Sequence, residues 1–538
     1  MMDQIFYISG QGLARCPRCG RHVLLDDEVA ETRCPFCSAG MLDAPIRHAG
    51  PTDAIESIGG IPGTIARALR RIGGPPPAPA PPRDPGMDGD PEGLWRMGAQ
   101  DGEAPRLRHA VWELTLACDL GCKHCGSRAG HARTDELSTA ECFDVVDQLR
   151  DLGVREITLI GGEAYLRDDW TRIAARIVDA GMLCTMTTGA RNLTDDRVHA
   201  AAAAGIGSIG ISIDGLEATH DALRGARGSW RAAVAAAARV GRSPVRLATN
   251  TQLNALSAPE IPALARLLAD IGSTAWQLQL TVPMGRAAER PGLLLQPFEL
   301  LELYPLLIWT KEQILDPHGI ALVPGNNIGY FSPFEQHLRY GGDHGAHWTA
   351  CAAGRHVIGI EADGSIKGCP SLPSDVYIGG NIRDTPIRTI VEQRPELTHL
   401  GRRTGVDLWG FCHDCYYSDV CQGGCTWTTH CVVGRPGNNP YCSHRAVELA
   451  GAGLAERVVQ VESAAGVPFD SGRFEVMEEA LDAGRCARFL FGVPIEQIVA
   501  AQPDAGSVRP PSAIAEMLSP DAAPGAIPVR FHVRSGRR

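Results

Sequence analysis

Short apolar runs rich in β-branched residues alternate with longer amphipathic segments between residues 108 and 290. The apolar runs predict six β-strands, at His109–Thr115, Glu156–Ile160, Leu183–Thr187, Ser208–Ile213, Val245–Thr251 and Ala275–Val282. The amphipathic segments predict five helices between them, at Thr139–Leu152, Asp168–Ala180, Asp195–Ala204, Ser229–Val240 and Pro259–Ile271. Ser138 and Asp168 are expected to cap two of these helices.

Strands that alternate with helices predict an α/β fold in which a parallel sheet is connected by right-handed crossovers. In such folds the active site lies at the carboxyl ends of the strands. Six strand–helix units, rather than eight, predict a partial (β/α)6 barrel that stays open on one side.

The remaining regions differ from this segment in composition. A hairpin is predicted at Val357–Lys367, turning at Asp363-Gly364, and one continuous helix is predicted from Arg445 to Glu462. We expect six regions: 1–45 with two cysteine pairs, 46–107 as a Pro/Gly-rich linker, 108–300 as the barrel, 301–340 as a bridging segment, 341–446 as a region crowded with Cys, Gly and aromatic residues, and 447–538 as a C-terminal extension.

The length and composition of the chain argue against several classes of function. At 538 residues the chain is too long for one hydrophobic core. It carries 62 acidic against 51 basic residues, which argues against general nucleic-acid binding. The longest apolar stretches, such as Ala232–Ala238, fall short of the roughly 20 residues that span a bilayer. Because Met1–Ile8 lacks the features of a signal peptide, we expect the 18 cysteines to lie in a reducing cytoplasm, where clustered thiols usually bind metal.

Three cysteines directly follow the first predicted strand, at Cys118, Cys122 and Cys125. Their spacing suits three ligands of a [4Fe–4S] cluster, which leaves the fourth iron open for a substrate or cofactor. A zinc loop without its fourth ligand is the alternative, but the position after the first strand of a βα array favours the cluster.

The loop resembles the CxxxCxxC signature of radical S-adenosylmethionine (SAM) enzymes, and residues 108–290 resemble their partial barrel. The resemblance implies that the three cysteines are catalytic, because a reduced cluster cleaves SAM to methionine and a 5′-deoxyadenosyl radical. It also implies a flavodoxin-type or ferredoxin-type reductant.

The same resemblance implies SAM contacts at successive strand ends. Gly161-Gly162-Glu163 resembles the GGE motif that binds the SAM amino group, with the glycines allowing the backbone to approach the cofactor. Thr187-Thr188-Gly189 stands where the family often has TNG, so one residue departs from the pattern. The other implied contacts are His124 near the adenine, and Ser212, Asp214 and Asn250 near the ribose or carboxylate. Each of these three, taken alone, is more often a helix cap or turn residue.

A second cysteine array begins at Cys351 and ends at Cys442. Its order resembles the SPASM extension of radical SAM peptide maturases, which implies two auxiliary [4Fe–4S] clusters. The implied ligands are Cys351, Cys369 and Cys425 for an inner cluster, and Cys412, Cys415, Cys421 and Cys442 for an outer one. The fourth inner ligand stays open between His356, Cys431, a backbone group and the substrate. Pro370 stands where sulfatase-maturing members carry Asp, which argues against that activity.

The remaining cysteines form an N-terminal set and four single residues. Cys16, Cys19, Cys34 and Cys37 form two CxxC pairs that suit a structural, zinc-ribbon-like site, with a rubredoxin-like iron site as the alternative. Cys142 and Cys184 are expected to be buried core residues, and Cys431 is also a candidate hydrogen donor.

The leading hypothesis is therefore a radical SAM/SPASM enzyme that modifies a ribosomally made peptide. A small-molecule dehydrogenase or a cofactor-biosynthesis enzyme with the same clusters is the first alternative. A non-enzymatic iron–sulfur electron carrier is the second, although a carrier needs no SAM pocket, and Glu163, Ser212 and Asp214 argue against it.

Overall fold

The computed structural model describes residues 107–331, 350–398, 400, 403–481 and 489–522, three strands near the N-terminus and the helical residues 65, 68, 69, 335 and 338. The N-terminal strands β1 (Phe6–Ile8), β2 (Gln11–Arg15) and β3 (His22–Asp26) form an antiparallel sheet. The predicted zinc ligands Cys16, Cys19, Cys34 and Cys37, most of the linker and Cys486 lie outside the described residues.

The central sheet contains all six predicted strands, and they run parallel in sequence order, which confirms the α/β fold class. A seventh parallel strand, β10, pairs with β9 at the edge of the sheet. The bounds are β4 His109–Glu113, β5 Glu156–Ile160, β6 Leu183–Thr188, β7 Ser208–Ser212, β8 Arg246–Leu253, β9 Ala275–Leu280 and β10 Ala321–Pro324.

All five predicted helices cover these strands, and a sixth, α4, was not predicted. The bounds are α1 Thr139–Asp151, α2 Trp170–Asp179, α3 Asp195–Ala203, α4 Glu217–Arg224, α5 Ser229–Gly241 and α6 Ile261–Asp270, with α7 Leu300–Thr310 following β9.

Helix α1 shows why these segments form amphipathic helices. The Ser138 hydroxyl accepts from the Glu141 N–H, and the Glu141 carboxylate accepts from the Ser138 N–H, so the predicted cap is a reciprocal capping box. Cys142, Val145 and Leu149 recur at helical spacing and are buried against the sheet. Burying a side chain such as Leu149 contributes about 1.5–3 kcal/mol.

The predicted cap at Asp168 is wrong. Helix α2 begins at Trp170, so Asp169 occupies the cap position, and its side chain makes no capping hydrogen bond. The Asp169 carboxylate instead accepts from the Arg167 guanidinium and the Thr139 hydroxyl. An ion pair between neighbouring elements has therefore replaced the local cap.

The cysteine-rich region extends the same sheet. Strand β11 (Val357–Ile360) pairs in parallel with β4, and β12 (Ser365–Lys367) and β13 (Ile378–Asn381) continue the sheet antiparallel. The predicted hairpin is confirmed, and Gly364 has the positive φ of +90° that its turn requires. The short helices that follow are α8 Ser374–Tyr377, α9 Ile387–Gln393, α10 Pro395–Thr398, α11 Ser418–Cys421 and α12 Thr426–Val433.

The predicted continuous helix from Arg445 to Glu462 is wrong. Helix α13 (Ser443–Gly451) ends two residues before Gly453, which has a φ of +75°. The chain then forms strand β14 (Leu454–Glu462), which pairs antiparallel with β15 (Arg473–Ala480). The glycines end the helix, and the β-branched residues Val458, Val459 and Val461 suit a strand.

Four short elements complete the described chain: β16 Phe489–Leu490, β17 Val493–Pro494, α14 Ile495–Ala500 and α15 Pro511–Met517. Among the residues that the structure describes, we find no helix with the length and hydrophobicity needed to cross a membrane.

Candidate active site

The three-cysteine loop leaves the carboxyl end of β4 and returns to it. Its start is fixed by an N–H of Cys118 that donates to the Gly130 carbonyl at 3.1 Å. Its middle is held by α4, because the Lys123 N–H donates to the Leu223 carbonyl at 2.6 Å. Its end is held by the segment after β9, where the Arg286 N–H donates to the Cys125 carbonyl at 3.0 Å. Backbone contacts from three elements therefore define the loop.

Gly161 and Gly162 pack against the chain that leads into this loop. A Cβ on Gly161 would lie 2.2 Å from the Thr115 carbonyl oxygen, and one on Gly162 would lie 2.0 Å from that of Ala117. The two glycines are thus required by close contact with the backbone of this chain, whereas the sequence analysis attributed them to contact with a cofactor. They place the next residue, Glu163, beside the loop.

Glu163 is buried at the end of β5 and is held by β6. The Thr188 hydroxyl donates to one carboxylate oxygen, and the Gly189 N–H donates to the other at 2.7 Å. Burial raises the pKa of Glu163 to about 7, although both hydrogen bonds act in the opposite direction. The carboxylate lies within 4.8 Å of the Cys118 sulfur, so a cationic group that paired with Glu163 would sit next to the three thiols.

A second carboxylate, Asp214, lies in a buried ionic network behind the loop. It pairs with Arg224 at 2.6 Å and with Nε2 of His124 at 3.1 Å. Burial alone would raise the pKa of Asp214, but Arg224 and then His124 outweigh it and hold that pKa well below its usual range. Arg224 also donates to the Cys122 sulfur at 3.7 Å.

Arg224 is the functional candidate that sequence analysis missed. Its helix, α4, is short, and a single arginine before Gly225 looks like an ordinary helix end. The available signal was the position of Arg224 four residues after His220, which puts both on one face of a helix directly after Asp214. In the structure the Asp214 N–H donates to Nδ1 of His220 at 3.1 Å.

Ser212 and Asn250 are partners in the register of β7 and β8, so the structure brings these two predicted residues together near the same edge of the sheet. His124, by contrast, is tied to Asp214 through Nε2, and its Nδ1 is buried without a hydrogen-bond partner. A buried polar nitrogen without a partner suits a site that receives a polar ligand.

The four cysteines assigned to the outer group line one pocket. Its wall is otherwise largely aromatic, with Phe331 stacked on Tyr417 at a ring separation of 4.3 Å. Burial, together with the charge of the neighbouring Cys412, raises the pKa of Cys415 to about 11. The cavity-lining thiols are Cys412, Cys415, Cys421 and Cys442.

The three cysteines assigned to the inner group also lie together. Burial, followed by the charge of Cys351, raises the pKa of Cys369 to about 11, and both of these thiols act on Cys425 in the same way. Cys431 belongs to the same buried cluster, and the nearby Cys425 contributes to its raised pKa. His356 lies at the start of β11, where its carbonyl accepts from the Arg108 and His109 N–H groups.

The chemistry of these thiols fits iron–sulfur clusters. All thirteen cysteines in the described ranges are free of disulfides, and ten of them are the predicted cluster ligands. Burial raises the pKa of Cys118 to about 12 and that of Cys122 to about 11, so neutral thiols are favoured until a metal replaces the proton. Cys142 and Cys184 are fully buried in the hydrophobic core.

Comparisons with known proteins agree with this site. Residues 112–252 match the sequence profile of the Radical SAM superfamily. The AdoMet-dependent heme synthase of Methanosarcina barkeri is 30% identical over 353 residues, which span 64% of this chain and 97% of that protein. The mycofactocin maturase MftC of Mycolicibacterium smegmatis is 29% identical over 322 residues, which span 59% of this chain and 77% of that protein. Streptococcus suis SuiB bound to S-adenosylmethionine superposes with a TM-score of 0.49 at 17% identity, covering 60% of this chain and 74% of SuiB.

Proposed function

Because the chain belongs to the radical SAM superfamily, we propose that this enzyme cleaves SAM reductively and uses the product to modify a ribosomally made peptide. The observation that carries the proposal is the meeting of Cys118 and Glu163, whose ligand atoms lie within 4.8 Å at the carboxyl edge of the sheet. Three thiols and one buried carboxylate are the groups that a cluster and a SAM ammonium would require there.

The residues of the site have different roles. Cys118, Cys122 and Cys125 hold three irons of a [4Fe–4S] cluster, and Glu163 pairs with the ammonium of SAM. When bound, the cluster supplies the electron that splits SAM into methionine and a 5′-deoxyadenosyl radical, which takes a hydrogen atom from the substrate.

The polar residues around them hold the cofactor and the loop. Thr188 orients Glu163, while Ser212 and Asn250 contact SAM from β7 and β8. Asp214 fixes His124 and Arg224, and we assign it to positioning the loop because its carboxylate is already paired with both of these side chains.

The downstream cysteines support two auxiliary [4Fe–4S] clusters, an outer one in the cavity of Cys412, Cys415, Cys421 and Cys442 and an inner one at Cys351, Cys369 and Cys425. A flavodoxin-type or ferredoxin-type protein donates the electron, and the N-terminal cysteine pairs bind zinc. The thirteen disulfide-free cysteines favour a reducing, cytoplasmic setting.

A peptide is the substrate favoured by the SPASM-like order of seven cysteines and by the similarity to a mycofactocin maturase. A tetrapyrrole is the second candidate, because the match to a heme synthase extends over 97% of that protein. Mass spectrometry separates the two after incubation of the reduced enzyme and SAM with either a short peptide encoded beside the gene or a tetrapyrrole carboxylate.

The proposed cleavage is tested with the variant Cys118→Ala. We expect the reduced, iron-reconstituted wild-type protein to release 5′-deoxyadenosine from SAM and the variant to release none, because one cluster ligand is missing. Cys142→Ala is the matched control, since it removes a buried thiol of the same barrel that faces the core. Undiminished release by the Cys118 variant would refute the proposal.

A further inference from the structure

The loop that joins β14 to β15, residues 463–472, reaches back to the three-cysteine loop; we call it the hairpin tip. The Phe469 N–H donates to the Gly126 carbonyl at 3.0 Å, one residue after a proposed cluster ligand. The Gly285 N–H donates to the Asp470 carbonyl at 2.6 Å. The hairpin tip belongs to the C-terminal extension. It therefore contacts the two segments that border the proposed radical site, the three-cysteine loop and the segment after β9.

One ion pair anchors the hairpin tip. The Arg128 guanidinium donates to both carboxylate oxygens of Asp470, at 3.0 and 3.2 Å, and to the Val467 carbonyl at 2.9 Å. Arg128 is held in turn by Glu289, with which it forms a further ion pair. Asp470 also accepts from the Gly466 N–H at 2.6 Å, so its carboxylate shapes the tip as well as attaching it.

Phe469 projects from the tip into the protein interior. Its side chain is buried, whereas Val467, two residues earlier, is 54% exposed. The Phe469 ring lies against the ammonium of Lys367, whose Nζ is 3.6 Å from the ring centroid. That ammonium also pairs with Glu361 at 2.7 Å, which fixes it in place.

The ring enters the layer between the two cysteine regions. It belongs to a buried cluster that also contains Met284, Trp427 and Cys425. The Trp427 indole N–H contacts the Met284 sulfur at 3.3 Å, and that sulfur is also close to Gly126 of the three-cysteine loop. Phe469 thus fills the space between the three-cysteine loop and the inner group of cysteines. A substrate must enter this space if a radical made at the loop is to reach the substrate.

We propose that the pocket filled by Phe469 is a substrate subsite for an aromatic side chain and that the hairpin tip is the lid that vacates it. This inference rests on the proposed function, since the subsite matters only if a radical is made at the loop. The pocket is apolar with one cation at its wall, and this combination favours a ring over an aliphatic side chain. The Arg128–Asp470 ion pair is the latch of the lid.

The fold allows the tip to move without disturbing the rest of the hairpin. Strand β15 packs on α12 and β14 packs on α13, so the base of the hairpin is fixed. Within the tip, Gly466 and Gly472 lie on either side of Phe469 and have φ values of +89° and +68°. Phe469 itself has a φ of +61°, a conformation that a bulky residue rarely adopts, so opening the lid relieves backbone strain.

The subsite is tested by binding to the reconstituted holoprotein without turnover. Phe469→Gly removes the ring and keeps the positive φ accessible, so the pocket is emptied while the latch stays closed. We expect N-acetyl-phenylalanine amide to bind this variant about tenfold more tightly than it binds the wild type, and more tightly than N-acetyl-leucine amide binds the variant. Two results would overturn the proposed subsite. In one, the variant binds the two amides with equal affinity; in the other, the variant and the wild type bind the phenylalanine amide with equal affinity.

The lid is tested by how fast a ferrous chelator removes iron. Asp470→Asn weakens the latch, and we expect the rate of iron release to rise roughly tenfold because the loss of a charge-assisted pair favours the open form. Arg473→Ala is the matched control, since its ion pairs with Glu462 and Glu475 lie on the exposed strand ends next to the tip and do not involve Arg128 or Asp470. Equal rates in Asp470→Asn and wild type would overturn the lid. Neither readout uses SAM cleavage, so failure here is distinguishable from failure of the Cys118→Ala test.

Discussion

The buried carboxylates show how single residues indicate function. Strand β5 carries one at each end: Glu156 at its start and Glu163 just after its end. Burial raises the pKa of both to about 7, because desolvation penalises the charged form. Glu163 lies at the edge where the thiols gather, whereas Glu156 lies at the opposite edge among threonine hydroxyls. The ammonium of SAM that we propose as the partner of Glu163 would therefore offset this cost at only one end of the strand.

We predict that Glu163→Gln weakens SAM binding. The variant keeps the shape of the side chain but loses the charge that pairs with an ammonium, so the dissociation constant should rise about 10- to 100-fold. Equilibrium dialysis with the reconstituted protein measures it. Glu156→Gln is the matched control on the same strand, and an equal effect of both substitutions would contradict the assignment.

We predict that Glu156→Gln stabilises the protein at alkaline pH. The pKa of Glu156 is raised to about 7 in the folded state, so the folded protein holds this proton more tightly than the unfolded chain, and stability is lost as pH rises from about 4.5 to 7. One carboxylate oxygen has no hydrogen-bond partner, which adds to the cost of ionisation. The gain at pH 8 should be about 1–3 kcal/mol and should vanish near pH 4.

Thermal unfolding midpoints of the wild type and Glu156→Gln at pH 4, 6 and 8 provide the measurement. A difference between the two proteins that does not change with pH would show that Glu156 is not ionising within this range.

At this scale the sequence identified the groups with fixed spacing and missed those set by three-dimensional contact. The proposed cluster ligands Cys118 and Cys122 lie close together in the chain, so the sequence alone shows their pattern. Arg224 lies on α4, whereas its contact Cys122 lies in the three-cysteine loop. Nothing in the sequence around Arg224 specifies that contact. The glycines of the GGE motif were found, but their physical reason, backbone packing against Thr115 and Ala117, required the structure.

Among the elements, helix α4 determines the course of the three-cysteine loop. It ends at Gly225, which has a φ of +64° and lies so close to the loop that a Cβ would sit 2.5 Å from the Gly121 carbonyl oxygen. Gly228, three residues on, also has a positive φ but has no atom within 4 Å of such a Cβ. Both glycines have a positive φ at a helix end, but only at Gly225 would a Cβ meet the three-cysteine loop, so they serve as a matched pair.

We predict that Gly225→Ala disturbs the cluster and that Gly228→Ala does not. Both substitutions should cost about 1–2 kcal/mol of stability, because alanine disfavours a positive φ. Only the first pushes on the loop, so only it should change the electron paramagnetic resonance signal of the reduced SAM-binding cluster. Identical spectra for the two variants would contradict this account of the loop.

The elements also show where periodicity is decisive. Strands β4 to β9 were predicted because short β-branched runs alternate with amphipathic segments, and the sheet confirmed all six. The segment after α13 was read as a continuing helix because its composition is ambiguous. The change to β14 depends on Gly451 and Gly453 and on pairing with β15, a partner about twenty residues away that local pattern does not reveal.

For the whole molecule, the two cysteine regions share one sheet, since β11 pairs with β4. A buried ionic network crosses the same junction: Arg133 pairs with Glu113 of β4 at 3.0 Å and with Glu361 at 3.1 Å. The sequence predicted the two regions but gave no sign of this pairing, because strand order depends on contacts between distant segments. The resemblance to the SPASM extension, by contrast, implied a grouping of the outer four cysteines, and the structure places them around one pocket.

We predict that the reconstituted protein holds about 12 irons, four for each of three clusters, and that Cys421→Ala holds about four fewer. The variant removes one wall of the outer cavity while leaving the SAM-binding loop intact. Iron analysis and Mössbauer spectroscopy measure the loss. Cys184→Ala is the control, because that thiol is buried in β6, and an unchanged iron content in Cys421→Ala would contradict the outer cluster.

The pairing of β11 with β4 also limits how this enzyme can be re-engineered. A foreign auxiliary region could not be attached through a linker alone, because its first strand must fit, residue for residue, the hydrogen-bonding edge that β4 offers from His109 to Trp112. Chimeras with a crossover outside this strand pair should exchange substrates more readily than those that divide it.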